Sequence, residues 1–171
     1  MPAASLRLAT TDADIALARA LFVEYAHWLQ VDLCFQGFDR ELAALPGAYA
    51  PPHGRLLLAG GPGEAFGCIA LRPIGLVDAP DADARAAPDA PGVGEVKRLF
   101  LQPAHRSGGW GRRLAEALIA DARAIGYREL KLDTLDWMAD ARRLYARLGF
   151  RECAAYYDNP LPGVVYMARA L

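Results

Sequence analysis

The chain has 171 residues, 54% of them hydrophobic, and a formal net charge of −1. This length supports one well-buried core and is short for two ordinary domains, so 1–171 reads as a single domain. The near-neutral balance gives no overall field for nucleic acid or an anionic membrane; no run of about 18 apolar residues occurs, and the first residues lack a basic start and an apolar stretch, so the expectation is a cytoplasmic protein with neither partner.

Residues 5–9 alternate apolar with polar and predict a short strand. Thr11 or Asp12 then caps a helix starting near Ala13, whose apolar stripe is Ile15, Ala18, Leu21, Phe22, Tyr25 and Leu29. Gly37, Pro46, Gly47, Pro51 and Pro52 punctuate the next stretch and leave room for one short helix over 39–45. Segments 55–59 and 65–72 flank a GGPG turn and predict an antiparallel hairpin. The Ala, Asp and Pro stretch over 75–92 has little to bury, and 78–91 is expected to be a mobile surface loop. Beyond it come a strand over 94–101, a helix over 110–125 stopped by Gly126, a strand over 128–135, a helix over 138–148 stopped by Gly149, and strands over 151–156 and 164–168. The order predicts an α/β (α+β) fold with a mixed central sheet and helices on its faces.

Between the strand and helix that flank it, residues 103–114 read PAHRSGGWGRRL. Gly109 and Gly111 let the backbone turn tightly and present N–H groups, while the following helix N-terminus and Arg106, Arg112 and Arg113 add positive charge. That combination suits a diphosphate. A nucleoside-triphosphate loop is excluded because the Gly-Lys-Ser/Thr element is absent; a dinucleotide fingerprint fails because Leu114 stands where its third glycine belongs. Cys34, Cys68 and Cys153 fit neither a disulfide framework nor zinc spacing, and no histidine has a metal partner at ligand spacing, so no metal is expected.

The segments EVKRLFLQPAHRSGGWGRRL, LKLDTL and ARRLYARLGF together resemble the GNAT superfamily of acyl-CoA-dependent N-acyltransferases. The resemblance implies the GNAT fold, a mostly antiparallel sheet of about seven strands flanked by about four helices. It also implies acetyl-CoA as acyl donor, with its pyrophosphate on the backbone of Ser107, Gly108, Gly109, Trp110, Gly111 and Arg112 beside Arg106. The pantetheine arm would pair with Leu99, Phe100 and Leu101. Tyr145 matches the family's proton donor to the departing sulfur, although by helical spacing it also reads as an interior aromatic. Glu95 falls where the family often has its general base, although a glutamate at a strand start is commonly just solvated. Met138 departs from the asparagine frequent at its position.

The expected activity is acetyl transfer to a primary amine of a small molecule or peptide by direct attack; the alternative is a non-catalytic acyl-CoA-binding regulatory module. Lys97 and Arg98 read as exposed strand charges that salt-bridge or help an acidic substrate. Phe22, Glu24, Tyr25, His27, Trp28, Asp32, Phe35 and Phe38 read partly as core and partly as an aromatic and acidic pocket for a cationic amine. A homodimer is left open.

Overall fold

The computed structural model describes residues 4–74 and 92–171; the acidic stretch over 78–91 lies outside them. The elements are β1 (Ser5–Leu8), α1 (Asp12–Leu29), α2 (Phe38–Ala44), β2 (Arg55–Gly60), β3 (Gly67–Pro73), β4 (Val93–Leu101), α3 (Trp110–Ile125), β5 (Glu129–Leu135), α4 (Ala139–Arg147), β6 (Arg151–Glu152) and β7 (Val164–Ala170). Thr11 is the cap of α1, its side chain accepting from the Asp14 N–H, and Gly126 ends α3 at φ 105°, a conformation that glycine adopts without strain.

The seven strands form one sheet in the order β1-β2-β3-β4-β5-β7-β6. All neighbours are antiparallel except β4 and β5, which run parallel and pair through only Val93, Gly94 and Glu95 against Glu129, Leu130 and Lys131. Beyond Glu95 the two strands part. Alternation along β2 and β3 divides the buried side chains between two layers: Leu57, Ala59, Ile69 and Leu71 pack with α3, and Leu56, Leu58, Cys68 and Ala70 pack with α1.

Strand β4 carries a bulge. Cys68 faces Phe100 but Ala70 faces Lys97, so Arg98 and Leu99 together oppose Ile69. Arg98 takes φ 59°, unusual for a residue with a side chain, and the Cys68 thiol donates to its carbonyl at 3.3 Å. The extra residue inverts the alternation. Val96 lies in the α3 layer and Phe100 in the α1 layer, whereas an unbroken strand would place both on one face.

The strand expected over 151–156 is shorter than its alternation suggests, with only Arg151 and Glu152 in β6. After the Cys153 N–H bonds the Tyr166 carbonyl, the chain leaves the sheet and Tyr156 and Tyr157 turn inward to acidic partners. No helix among the described residues is long and apolar enough to cross a membrane.

Candidate active site

Where β4 and β5 separate, a small cavity of about 60 Å³ opens between the sheet layers. Tyr25, Leu29 and Leu33 line it from the α1 side, Leu99, Ala141 and Tyr145 from the other, with Thr134 on β5 and Met138 just after that strand. Tyr145 is 6% exposed, packs edge-on against Phe150, and has no hydrogen-bond partner for its hydroxyl among the described residues. Burial pushes this phenol well above its ordinary range, so it keeps its proton throughout neutral pH. Tyr145 is therefore interior, as its helical spacing predicts, and it also borders the cavity. Met138 borders the same cavity, its sulfur accepting from Thr134 Oγ1 at 3.6 Å.

At the far end of β4, Pro103–Gly108 form a 3-10 turn that runs directly into α3. Gly109 joins them at φ 72°, the left-handed conformation, with open space where a Cβ would project. Gly111 lies inside the first turn of α3, where a Cβ would meet only ordinary contacts with Leu101 and Leu144. The glycine requirement is therefore conformational at Gly109 and weak at Gly111. The arginines do not converge on this turn. Arg106 donates to the Leu101 carbonyl at 3.0 Å and stacks over Trp28, Arg112 pairs with Glu116 at 2.7 Å, and Arg113 lies over Trp110. What remains for an anion is the start of α3, whose first N–H groups have no acceptor within the helix.

The larger cavity, about 530 Å³, lies on the α2 side of the sheet and shares Lys97 and Gln36 with the smaller one. Glu95 lines it, 2% exposed, accepting from Arg72 Nε at 2.7 Å and from Tyr156 OH at 2.9 Å. Burial raises its carboxyl pKa, but Lys97 and Arg72 outweigh that, and the net shift is downward. Glu95 is thus an ionised carboxylate with both oxygens engaged. Glu95 and Tyr145 line different cavities, with Lys97 on the wall of both.

Lys97 and Arg98 are corrections to the sequence reading. They are 7% and 5% exposed, because the bulge directs both toward the α2 side instead of letting one point away. Arg98 grips Glu41 with two hydrogen bonds and donates to Gln36 at 2.9 Å; Tyr49 adds a bond to Glu41 at 2.6 Å. Across the split, Asp133 accepts from Tyr157 at 2.8 Å and Asn159 at 2.9 Å. The expected acidic wall is placed differently: Glu24 accepts from Gln102, Asp32 from the Cys34 N–H, and the carboxylates that line the larger cavity are Glu41 and Glu95. His105 stacks on Phe66 with ring centroids 3.9 Å apart. Among the described residues no three metal-ligating side chains gather.

Sequence reasoning gave no role to Arg72, Glu41 or Asn159 and no acidic partners to Tyr156 and Tyr157. The paired tyrosines before a proline loop were the available signal; their acidic partners stand 61 and 24 residues away.

The profile of the acetyltransferase (GNAT) family matches residues 21–150, and the chain belongs to that family. A Schizosaccharomyces pombe protein named as an uncharacterized N-acetyltransferase is 39% identical, the match covering 90% of this chain and 86% of that one. An Azospirillum brasilense protein named IAA acetyltransferase is 38% identical over 71% of each chain. Among solved structures, a Staphylococcus aureus GNAT-family acetyltransferase superposes with a TM-score of 0.72 at 16% identity, covering 98% of this chain and 99% of that one. A Salmonella typhimurium protein solved with its cofactor acetyl-CoA gives 0.67 at 19% identity, covering 98% and 94%. The seven-stranded mixed sheet with its flanking helices is the GNAT fold.

Proposed function

We propose that this protein transfers the acetyl group of acetyl-CoA directly to a primary amine of a small molecule or peptide. The observation that carries the reading is the opened seam between β4 and β5, with the unpartnered Tyr145 hydroxyl on its wall and Lys97 joining it to a larger cavity on the α2 side.

The residues present fit the donor. Gly109 supplies the left-handed turn into α3, and the backbone of Ser107 to Arg112 around that turn is the site assigned to the diphosphate, favoured by the helix N-terminus. Beyond Glu95 the side of β4 toward β5 is unpaired, so Leu99, Phe100 and Leu101 offer an extended edge for the pantetheine amides. When bound, acetyl-CoA supplies a thioester, an electrophilic carbonyl carbon whose sulfur can leave. Tyr145 holds a proton at the cavity wall and donates it toward that sulfur. Glu95 is the ionised group that draws the proton from the acceptor amine, through water because its own oxygens are engaged. The hydrocarbon lining of the small cavity, Leu29, Leu33, Leu99 and Ala141, limits the water that competes with the amine.

Two measurements test this. Acetyl-CoA should raise the melting temperature of the purified protein, with nicotinamide dinucleotides inert, and a mass-spectrometric screen with mixed amines should yield a product heavier by one acetyl group. Stabilisation by acetyl-CoA with no acetylated product in a broad screen would favour a regulatory module over an enzyme.

A further inference from the structure

On the wall of the larger cavity, Lys97 points to the acceptor. The carboxylates near it, Glu41 and Glu95 on the larger cavity and Asp133 on the smaller, are engaged by other groups. Glu41 is held by Arg98 through both oxygens. Glu95 accepts from Arg72 on Oε2 and from Tyr156 on Oε1. Asp133 accepts from Tyr157 and Asn159.

Lys97 is left short of partners. Its ammonium stands 3.6 Å from Glu95 Oε1, beyond a good hydrogen bond, and 5.9 Å from the centre of the Tyr157 ring. It makes no hydrogen bond among the described residues, although it is only 7% exposed and lines both cavities. An ammonium has three donors, and the ion pair with Glu95 leaves them without an acceptor at hydrogen-bonding distance among the described residues. Burial accordingly lowers its pKa from the ordinary lysine value. Arg40 is exposed on α2, lines the same cavity and carries no ion pair among the described residues.

We infer that the acceptor is a small amino carboxylate, its carboxylate received by Lys97 inside the cavity with Arg40 at the rim, and its amine presented toward the seam. This rests on the acetyltransferase reading above and narrows it. The two tests are separable because carboxylate recognition is read from binding alone. A volume of about 530 Å³ is in the range of small-molecule sites. One anion there gives the donors of Lys97 an acceptor at bonding distance. A purely cationic amine leaves Lys97 unsatisfied and adds repulsion from it.

The experiment uses free α-amino acids, each matched with its methyl ester, and α,ω-diamines, titrated by calorimetry into the purified protein saturated with unacetylated CoA, so that no turnover intervenes. At least one amino acid should bind about 10-fold or more tightly than its ester, as expected for a charge-assisted pair at a buried site. Lys97→Met should erase that difference, and Arg40→Ala, an exposed change that leaves the fold intact, should reduce it several-fold. Equal binding of acids and esters, binding of diamines alone, or binding by no amino acid would overturn the inference. If Lys97→Met does not fold, the acid-to-ester ratio of the wild type and of Arg40→Ala decides it. Acetyl transfer to esters as readily as to acids would leave the acetyltransferase reading standing while refuting this narrower one; carboxylate-dependent binding without any transfer would uphold the carboxylate site at Lys97 while overturning the acetyltransferase reading and, with it, the acceptor.

Discussion

Arg98 and Glu41 meet as a two-pronged pair, Nε to Oε1 at 3.0 Å and Nη2 to Oε2 at 2.5 Å, with the arginine side chain only 3% exposed and held at a positive φ. The pair ties the bulge of β4 to α2 and so fixes one wall of the larger cavity. Removing one partner leaves a buried charge alone. Glu41→Gln should destabilise the protein by about 3–5 kcal/mol in urea unfolding.

The same pair gives an acid signature. Burial raises the Glu41 carboxyl pKa, but the Arg98 hydrogen bonds and charge, with Tyr49 and Lys97, more than offset it and leave the carboxyl below its ordinary value. A lowered folded-state pKa contributes stability above the unfolded pKa and loses it as pH falls through the folded one. Wild-type stability should therefore decline below about pH 4, and Glu41→Gln should decline less over the same interval. Parallel declines in urea titrations would remove Glu41 from the acid transition.

Tyr145→Phe keeps the ring against Phe150 and deletes only the hydroxyl, which has no partner to lose among the described residues. Melting temperature and acetyl-CoA affinity should barely move, while turnover falls about 10²-fold to 10⁴-fold. A variant of full activity would send the sulfur's proton to water or to Tyr156 or Tyr157.

Glu95→Gln should lower turnover of a weakly reactive amine by about 10²-fold. Because the Glu95 carboxyl is held below its ordinary value, it is already ionised at neutral pH, and the rise of wild-type activity with pH should follow the free amine. Turnover and pH profile unchanged in the variant would leave solvent as the proton acceptor.

Gly109→Ala places a side chain at φ 72°, which is unfavourable by about 1–2 kcal/mol for an L-residue even with open space around it. Unfolding should register that loss. If the turn also holds the diphosphate, the stabilisation by acetyl-CoA should shrink as well; an unchanged ligand shift would move the anion site elsewhere.

Elements with a strong local pattern were legible. The amphipathic stripe of α3, its glycine stop and the glycine turn before it are written within about 25 consecutive residues, and Tyr145 lies where the helical period puts it. Lys97 and Arg98 were misread as exposed because a strand's period of two gives no warning of an inserted residue. Only the register against Cys68 and Ala70 reveals it. Tyr156 and Tyr157 likewise continue an apparent strand, and what draws them out of it are carboxylates on β4 and β5 that no local window contains.

The three-residue parallel seam has a consequence for how this molecule assembles. With so little backbone ladder between β4 and β5, the halves on either side are joined around the split largely by side chains: Trp28 on Trp137, Tyr156 on Glu95, and Gln36 on Tyr157, the last across 121 residues of chain. Contacts that close such long loops are entropically the last to become favourable. The walls of the cavities are therefore late products of folding, and native-state amide exchange should find the seam less protected than the antiparallel hairpins it unites.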